Sequence, residues 1–207
     1  MSEARAAVLA RVRSALAGAP PPPEPPRAYR RAGSLDRAAV VARFVERLED
    51  YRARVVRSDD PAAAAAAVLA ELGARRVVVA PDLEAALRPD GVELVEDDGL
   101  PAGALDELDG AVTTCAAACA DTGTIALDGG PGQGRRAITL VPDLHVCLVA
   151  VGQIVETVPE LLERLEAGAR AGRPIVLVSG PSATADIELS RVEGVHGPRR
   201  LVAILHD

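Results

Sequence analysis

The sequence predicts an α/β protein with a predominantly parallel sheet flanked by helices. Short apolar runs such as 76–80 and 175–179 are typical of strands that a sheet buries on both faces. In the first half of the chain such runs alternate with segments of helical period. A β-α-β order of this kind favours a parallel, right-handed, doubly wound sheet. The 207 residues suffice for one such domain and a short appendage.

The appendage is residues 1–26, and the body is residues 27–207. Apolar residues at spacings of three and four predict a helix over 2–16, which Gly18 would end. The run 20–26 is all proline except Glu24, so it lacks amide donors and favours an extended conformation. We expect a semi-rigid spacer, and a ligand for a proline-binding domain is the alternative.

The elements of the body follow in order along the chain. The first half predicts helix 36–51, strand 53–56, helix 61–72, strand 76–80, helix 81–87 and strand 92–95. The second half is richer in strands and predicts a more mixed sheet. Its elements are strands 110–114, 124–127, 137–141 and 145–150, helix 158–171, and strands 175–179 and 201–205.

Composition argues against several classes of partner. The net charge of −7 opposes binding to nucleic acid or an anionic membrane, although the arginine pairs at 30–31, 75–76 and 135–136 are possible anion contacts. Aromatic residues make up only 1% of the chain, which nearly excludes base stacking. The sequence shows neither a secretory signal nor a run of roughly 18 apolar residues, so we expect a cytoplasmic protein without a membrane span.

The three cysteines do not make a disulfide framework, and we expect all three to be buried as small apolar residues. No His-x-x-His or Cys-x-x-Cys spacing occurs, so no metal site is expected in this chain.

A polar turn, SGPSATADIE at 179–188, follows the strand predicted at 175–179. Ligands of open α/β sheets bind at the carboxyl ends of strands. The hydroxyls of Ser179, Ser182 and Thr184, with nearby backbone amides, suit an anion, and Asp186 and Glu188 add carboxylates. A hydrogen-bonded turn that only ends the strand fits the same residues.

Three other segments are candidates. In DTGT at 121–124, Asp121 either stabilises a turn or polarises a substrate, and Gly123 permits a positive φ or a close ligand approach. His145 and His196 are either structural or proton donors to a small polar ligand. The glycine-rich stretch 128–136 lacks the ending of a P-loop, so it is a flexible hairpin or a flap that offers Arg135 or Arg136 to a carboxylate.

Four blocks carry a family resemblance: ADTGT at 120–124, VPDLH at 141–145, SGPSATADIE at 179–188 and GVHGP at 194–198. In order and spacing they resemble the lactate-utilization (LUD) domain family, in particular its short C type without ferredoxin cysteines, over roughly residues 30–207. The resemblance implies a NagB/RpiA/CoA-transferase-like fold. Two positions depart from the family pattern: Asp121 stands where a glutamate is usual, and Ala183 stands where a basic residue is frequent.

The resemblance further implies a component of a three-protein system that oxidises L-lactate to pyruvate. The iron–sulfur clusters are expected in the partner proteins, and no cofactor is expected in this chain. A free-standing enzyme acting on a sugar phosphate, a CoA ester or a folate, and an assembly or regulatory subunit, are the alternatives. Self-association into a homo-oligomer stays open.

We expect Asp121, His145 and Asp186 to converge on one pocket, and the ligand of the site to be a small anionic metabolite. The catalytic candidates are Asp121, His145 and Asp186. The ligand-binding candidates are Thr122, Gly123, Thr124, Ser179, Gly180, Ser182, Thr184, Glu188 and His196.

Overall fold

The computed structural model describes residues 3–18, 20, 23–184, 192–194 and 196–207. In this part of the chain the helices are α1 (Glu3–Leu16), α2 (Arg37–Asp50), α3 (Pro61–Glu71), α4 (Ala102–Asp106) and α5 (Val158–Arg170). The first six strands are β1 (Arg54–Arg57), β2 (Arg76–Val79), β3 (Glu93–Glu96), β4 (Gly110–Thr113), β5 (Ala117–Cys119) and β6 (Thr124–Leu127). The others are β7 (Leu144–Ala150), β8 (Ile154–Val155), β9 (Val176–Val178), β10 (Ala183–Thr184), β11 (Val192–Glu193) and β12 (Arg200–His206). Short 3₁₀ helices span Ala85–Leu87, Arg136–Thr139 and Val151–Gln153.

The main sheet has six strands in the order β1-β12-β7-β4-β2-β3. Every neighbouring pair of these strands is parallel. Strands β7 and β12, neighbours inside this sheet, are buried along almost their whole length, as expected for parallel strands that are covered on both faces. The predicted α/β fold with a mainly parallel sheet is therefore confirmed.

Helices cover the two faces of the main sheet. On one face, Val68 and Leu69 of α3 pack against strand residues such as Val146. On the other face, Phe44 and Leu48 of α2 lie in one apolar cluster with strand residues of β7 and β12. Because Phe44 is the only phenylalanine in the chain, aliphatic side chains fill nearly all of this core.

A second sheet has the order β8-β5-β6-β9 and lies on the α2 side of the main sheet. Strand β5 is parallel to β8, whereas β6 is antiparallel to both β5 and β9. Its outer face is covered by α5, through Leu161 and Leu165. Four strands of the second half thus form a layer of their own with mixed pairing, whereas β4, β7 and β12 belong to the main sheet.

The longer helices of the body begin at residues with strong capping chemistry. Asp36, Asp60 and Thr157 each accept a hydrogen bond from a backbone amide in the first turn of α2, α3 and α5, respectively. Proline occupies the first turn of α3 and of α5, where an amide hydrogen would have no helical partner. These signals explain why the predicted helices 61–72 and 158–171 agree with the structure to within one residue at their ends.

Two predictions of secondary structure are wrong. Residues 137–141, predicted as a strand, lie in and after the 3₁₀ helix Arg136–Thr139, where Ile138 is buried beside Leu105 and Ala111. A short apolar run does not distinguish a buried strand from a buried helical turn by its period. The helix predicted over 81–87 is reduced to the 3₁₀ turn Ala85–Leu87.

Helix α1 agrees with the helix predicted near the start of the chain, and none of its residues is buried. No helix in the described ranges is long and apolar enough to cross a membrane. The boundary at residues 26 and 27 stays a prediction.

Candidate functional site

Three hydroxyl groups from two of the predicted blocks meet in the structure. The Oγ1 atoms of Thr122 and Thr124 are 2.7 Å apart, and Thr124 Oγ1 lies 2.8 Å from Ser179 Oγ. The second contact exists because β6 pairs antiparallel with β9, with Ile125 opposite Val178. We call these three residues the hydroxyl cluster. A hydroxyl can donate one hydrogen bond and accept two, so the cluster keeps capacity for a polar ligand.

The two glycines beside the hydroxyl cluster pack against α2. Gly123 has φ +57°, and a Cβ there would lie 2.8 Å from Arg47 Cβ. A Cβ on Gly180 would lie 2.8 Å from Tyr51 Cβ, at the C-cap of the same helix. Both glycines therefore permit a close approach of the site to the helix end, and a ligand contact by either stays a prediction.

Asp121 belongs to a cluster of two carboxylates and two guanidinium groups, which we call the acid–arginine cluster. Arg30 and Arg43 each pair with one oxygen of Asp121, the latter at 2.7 Å. The side chain of Glu156 is only 4% exposed, and its Oε1 lies 3.4 Å from Arg30 and 3.8 Å from Arg43. Its Oε2 accepts hydrogen bonds from the amides of residues 34 and 35, at 2.6 and 2.7 Å.

The acid–arginine cluster fastens residues 30–35 to the second sheet. A buried carboxylate is costly unless cations and donors surround it, and Glu156 has both. On sequence alone, the arginine pair 30–31 is a possible anion contact. The anions that Arg30 contacts are two carboxylates of the protein itself, Asp121 and Glu156. Sequence reasoning missed Arg43 and Glu156, because no local pattern links them to Asp121.

His145 lies inside the core and not at the hydroxyl cluster. The residue is 1% exposed, and its Nε2 is 2.8 Å from Thr113 Oγ1, on the adjacent parallel strand. Its Nδ1 has no hydrogen-bond partner among the described residues. Burial lowers the pKa of His145 to about 4, so the imidazole is neutral near pH 7. Its catalytic role stays a prediction.

Ser182 and His196 form a second contact between predicted residues. The amide of His196 donates to Ser182 Oγ at 3.0 Å, and the amide of Ser182 donates to the carbonyl of Pro198 at 2.8 Å. These bonds lie beside the antiparallel pair of β10 and β11, and the His196 residue is exposed. Asp186 and Glu188 lie outside the described residues, as does the side chain of Thr184.

The structure therefore brings the predicted residues together in two groups, the hydroxyl cluster and the Ser182–His196 pair. In the described part of the chain, no hydrogen bond joins the side chain of Asp121 or His145 to either group. Convergence of Asp121, His145 and Asp186 on one pocket stays a prediction.

The glycine loop, which we define as residues 128–134, joins β6 to a 3₁₀ helix and not to another strand. It is closed by its own side chains, because Asp128 Oδ1 accepts from the amide of Gly130 at 3.0 Å and Gln133 Oε1 accepts from the amide of Asp128 at 2.7 Å. Arg135, which follows the loop, pairs with Asp97 at 2.5 Å, and this hydrogen bond lowers the pKa of the Asp97 carboxyl. Arg135 is therefore already bound to a carboxylate of the protein.

All three cysteines are buried with free thiols, as predicted. Each thiol lies within hydrogen-bonding distance of a protein oxygen: Cys115 near Gln153 Oε1, Cys119 near the Glu156 carbonyl, and Cys147 near the Thr114 carbonyl.

Known proteins resemble this chain in both sequence and fold. The LUD domain family matches residues 104–206. Lactate utilization protein C of Deinococcus radiodurans is 42% identical over 205 residues, which cover 99% of this chain and 96% of that protein. The protein of the same name from Bacillus pumilus is 39% identical over 92 residues, or 42% of this chain and 38% of the relative. A crystal structure of a DUF162 family protein from Deinococcus radiodurans superposes with a TM-score of 0.72 at 36% identity, covering 84% of this chain and 100% of that one.

Gly123→Ala tests the packing of the hydroxyl cluster against α2. The new Cβ would lie 2.8 Å from Arg47 Cβ in a left-handed backbone conformation. Left-handed strain and overpacking together should lower the free energy of unfolding by about 3 kcal/mol, measured by urea denaturation. The matched control is Gly152→Ala, since a Cβ there meets nothing within 4 Å. Equal denaturation midpoints for the two variants would contradict this account.

His145→Gln tests the neutral buried imidazole. The unfolded chain takes up a proton on His145 below about pH 6.5, whereas the folded protein does so only near pH 4. The contribution of this residue to the free energy of unfolding is therefore constant at higher pH, and falls by about 3 kcal/mol as the pH drops from 6.5 to 4.

Urea denaturation at several pH values should show a shallower acid dependence for His145→Gln than for the wild type. His206→Gln is the control, because this histidine is partly exposed on β12 and should leave the dependence steep. An unchanged slope in His145→Gln would refute the assignment.

Proposed function

The chain belongs to the LUD domain family, and we propose that it serves L-lactate utilization as a subunit of a system that oxidises L-lactate to pyruvate. The observation that carries this proposal is the 42% identity to a lactate utilization protein C over nearly the whole of both chains. A similarity of that extent includes the body, the terminal helix and the spacer. It therefore favours a shared role and not only a shared fold.

The partners in this proposal are iron–sulfur proteins. Oxidation of L-lactate to pyruvate releases two electrons and two protons, so an electron acceptor is required. The family resemblance implies that partner proteins carry the iron–sulfur clusters, and the three buried thiols of this chain are directed to protein oxygens.

We further propose that this chain binds a small anionic ligand at the hydroxyl cluster. Hydroxyl groups can donate to a carboxylate and accept from the α-hydroxyl of a 2-hydroxy acid. Asp121 directly precedes the cluster and pairs with Arg30 and Arg43, each of which also contacts Glu156. A guanidinium has five N–H groups, so each arginine keeps donors for a ligand carboxylate.

The site residues predicted from the motif blocks belong to the same proposal. Asp121, His145 and Asp186 are the candidate catalytic residues. The ligand contacts are assigned to Thr122, Gly123, Thr124, Ser179, Gly180, Ser182, Thr184, Glu188 and His196.

Deletion of the gene tests the role in L-lactate utilization. We expect loss of growth on L-lactate as sole carbon source and loss of lactate-dependent dye reduction in extracts, while growth on pyruvate continues. The wild-type gene should restore both, and the double variant Thr124→Val, Ser179→Ala should restore less than a tenth of the dye reduction, because it removes two hydroxyls of the cluster.

The matched control is Tyr29→Phe, which removes an exposed hydroxyl outside both α1 and the hydroxyl cluster and should restore full activity. Normal growth of the deletion strain on L-lactate would refute the proposed role. Dye reduction by the purified chain alone would instead favour a free-standing enzyme.

A second candidate role, docking of a partner, is favoured by helix α1. None of its residues is buried, and Val8 is 59% and Leu16 64% exposed. Such a helix contributes little to the body but offers apolar side chains to another subunit.

Removal of residues 1–26 tests this docking role. The melting temperature should change by less than about 2 °C, because no α1 residue lies in the core. Co-purification with the iron–sulfur partner subunits should be lost in the truncated chain and retained in the full chain. Equal co-purification of the two would contradict docking through α1.

A further inference from the structure

A cavity of about 550 Å³ opens at the carboxyl edge of the main sheet. Thr114, Ala150 and His206 line it, at the ends of β4, β7 and β12, respectively. These three strands are neighbours and parallel, so their carboxyl ends meet at one edge. Ligands of open α/β sheets bind at this edge. No member of the hydroxyl cluster lines the cavity.

The glycine loop forms one wall of the cavity and is fastened to the end of β4. Thr114 Oγ1 donates to the carbonyl of Pro131 at 2.7 Å, and the amide of Thr114 donates to the carbonyl of Gly132 at 3.0 Å. Gly132 has φ +70°, and a Cβ there would lie 2.9 Å from Thr114 Oγ1. The wall is therefore held by main-chain and side-chain bonds before any ligand arrives.

The polar groups deep in the wall are satisfied by the protein itself. Gln153 donates to the carbonyl of Cys115 at 2.7 Å and accepts from the amide of Ala150 at 3.0 Å. Asp128 is bound by Arg173 at 2.6 Å and by two donors of the glycine loop. Apolar side chains form another part of the wall: Leu87, Ala116, Pro131 and Leu148. This part of the wall suits the apolar body of a ligand.

Two guanidinium groups reach the cavity from the α5 side. Arg164 lies on α5, is exposed, and has no ion pair among the described residues. Arg173 follows α5 and pairs with Asp128 through one nitrogen, Nη2. The remaining acidic lining residue, Glu84, precedes the 3₁₀ helix Ala85–Leu87, which contacts α3 on the opposite face of the sheet. Arg164 is therefore the cation on this side of the cavity that no carboxylate of the described residues pairs with, and Arg173 keeps free N–H donors beside it.

We propose that this carboxyl-edge cavity binds an organic anion with an apolar body, whose carboxylate or phosphate end contacts Arg164 and Arg173. Its volume lies within the roughly 300–1,000 Å³ of ordinary metabolite sites and exceeds what a three-carbon acid fills. The ligand is therefore larger than lactate. The inference does not depend on the proposed role in L-lactate utilization, because it rests on the cavity alone.

Binding of four probes to the purified full-length chain tests the proposal. The probes are 3-phenylpropionate, phenyl phosphate, the neutral 3-phenylpropan-1-ol and inorganic phosphate, measured by isothermal titration calorimetry. We expect at least one aromatic anion to bind at least tenfold more tightly than both the alcohol and inorganic phosphate. The preferred anion then identifies the end group as carboxylate or phosphate.

Arg164→Gln should weaken binding of the preferred anion about tenfold or more, because it removes a charge-assisted contact. Arg170→Gln is the matched control on the same helix, since Arg170 pairs with Glu166 and does not line the cavity, and it should bind like the wild type. Both changes are on the surface, so both variants should remain folded.

Three results would overturn the proposal: no binding of either aromatic anion, binding of the alcohol as tight as that of the anions, or unchanged binding in Arg164→Gln. These readouts need neither lactate nor a partner subunit. Failure of the cavity proposal in these binding experiments is therefore distinguishable from failure of the proposed role in L-lactate utilization, which normal growth of the deletion strain would reveal.

Discussion

Burial of β7 and β12 on both faces is the constraint on which the rest of the structure depends. These strands are seven residues each and are apolar through most of their length, so neither face can be left in water. Helix α3 covers one face, and α2 with the second sheet covers the other. Because the chain has one phenylalanine and no tryptophan, this covering requires close packing of many aliphatic side chains.

The same burial sets the chemistry of His145. A side chain on β7 lies on either the α2 face or the α3 face of the main sheet, and the packing on both faces is apolar. The result is a neutral ring bonded to Thr113, on the face shared with Cys147. A histidine in a motif block can therefore have a structural role inside the core, as well as a catalytic one.

The second sheet and the acid–arginine cluster hold residues of the motif blocks in place. Antiparallel pairing of β6 with β9 places Thr124 beside Ser179, although 55 residues separate them. Glu156, directly after β8, contacts Arg30 and Arg43 and accepts hydrogen bonds from the amides at 34 and 35. These contacts hold the segment that follows the spacer against the second sheet. The carboxyl-edge cavity is chemically different from this region, because apolar side chains form part of its wall and Arg164 and Arg173 line its α5 side.

The sequence by itself determined the elements and the family. Helical period and buried-strand runs identified most of the α/β body, and four motif blocks identified the LUD resemblance. These signals are local, because a period or a motif is complete within a short stretch of the chain. Only the tertiary structure decided the partners of Asp121, the contact between Thr124 and Ser179, the 3₁₀ turn around Ile138 and the cavity beside Arg164. Each of these depends on residues far apart in sequence, and their meeting is set by which strands pair and which faces pack.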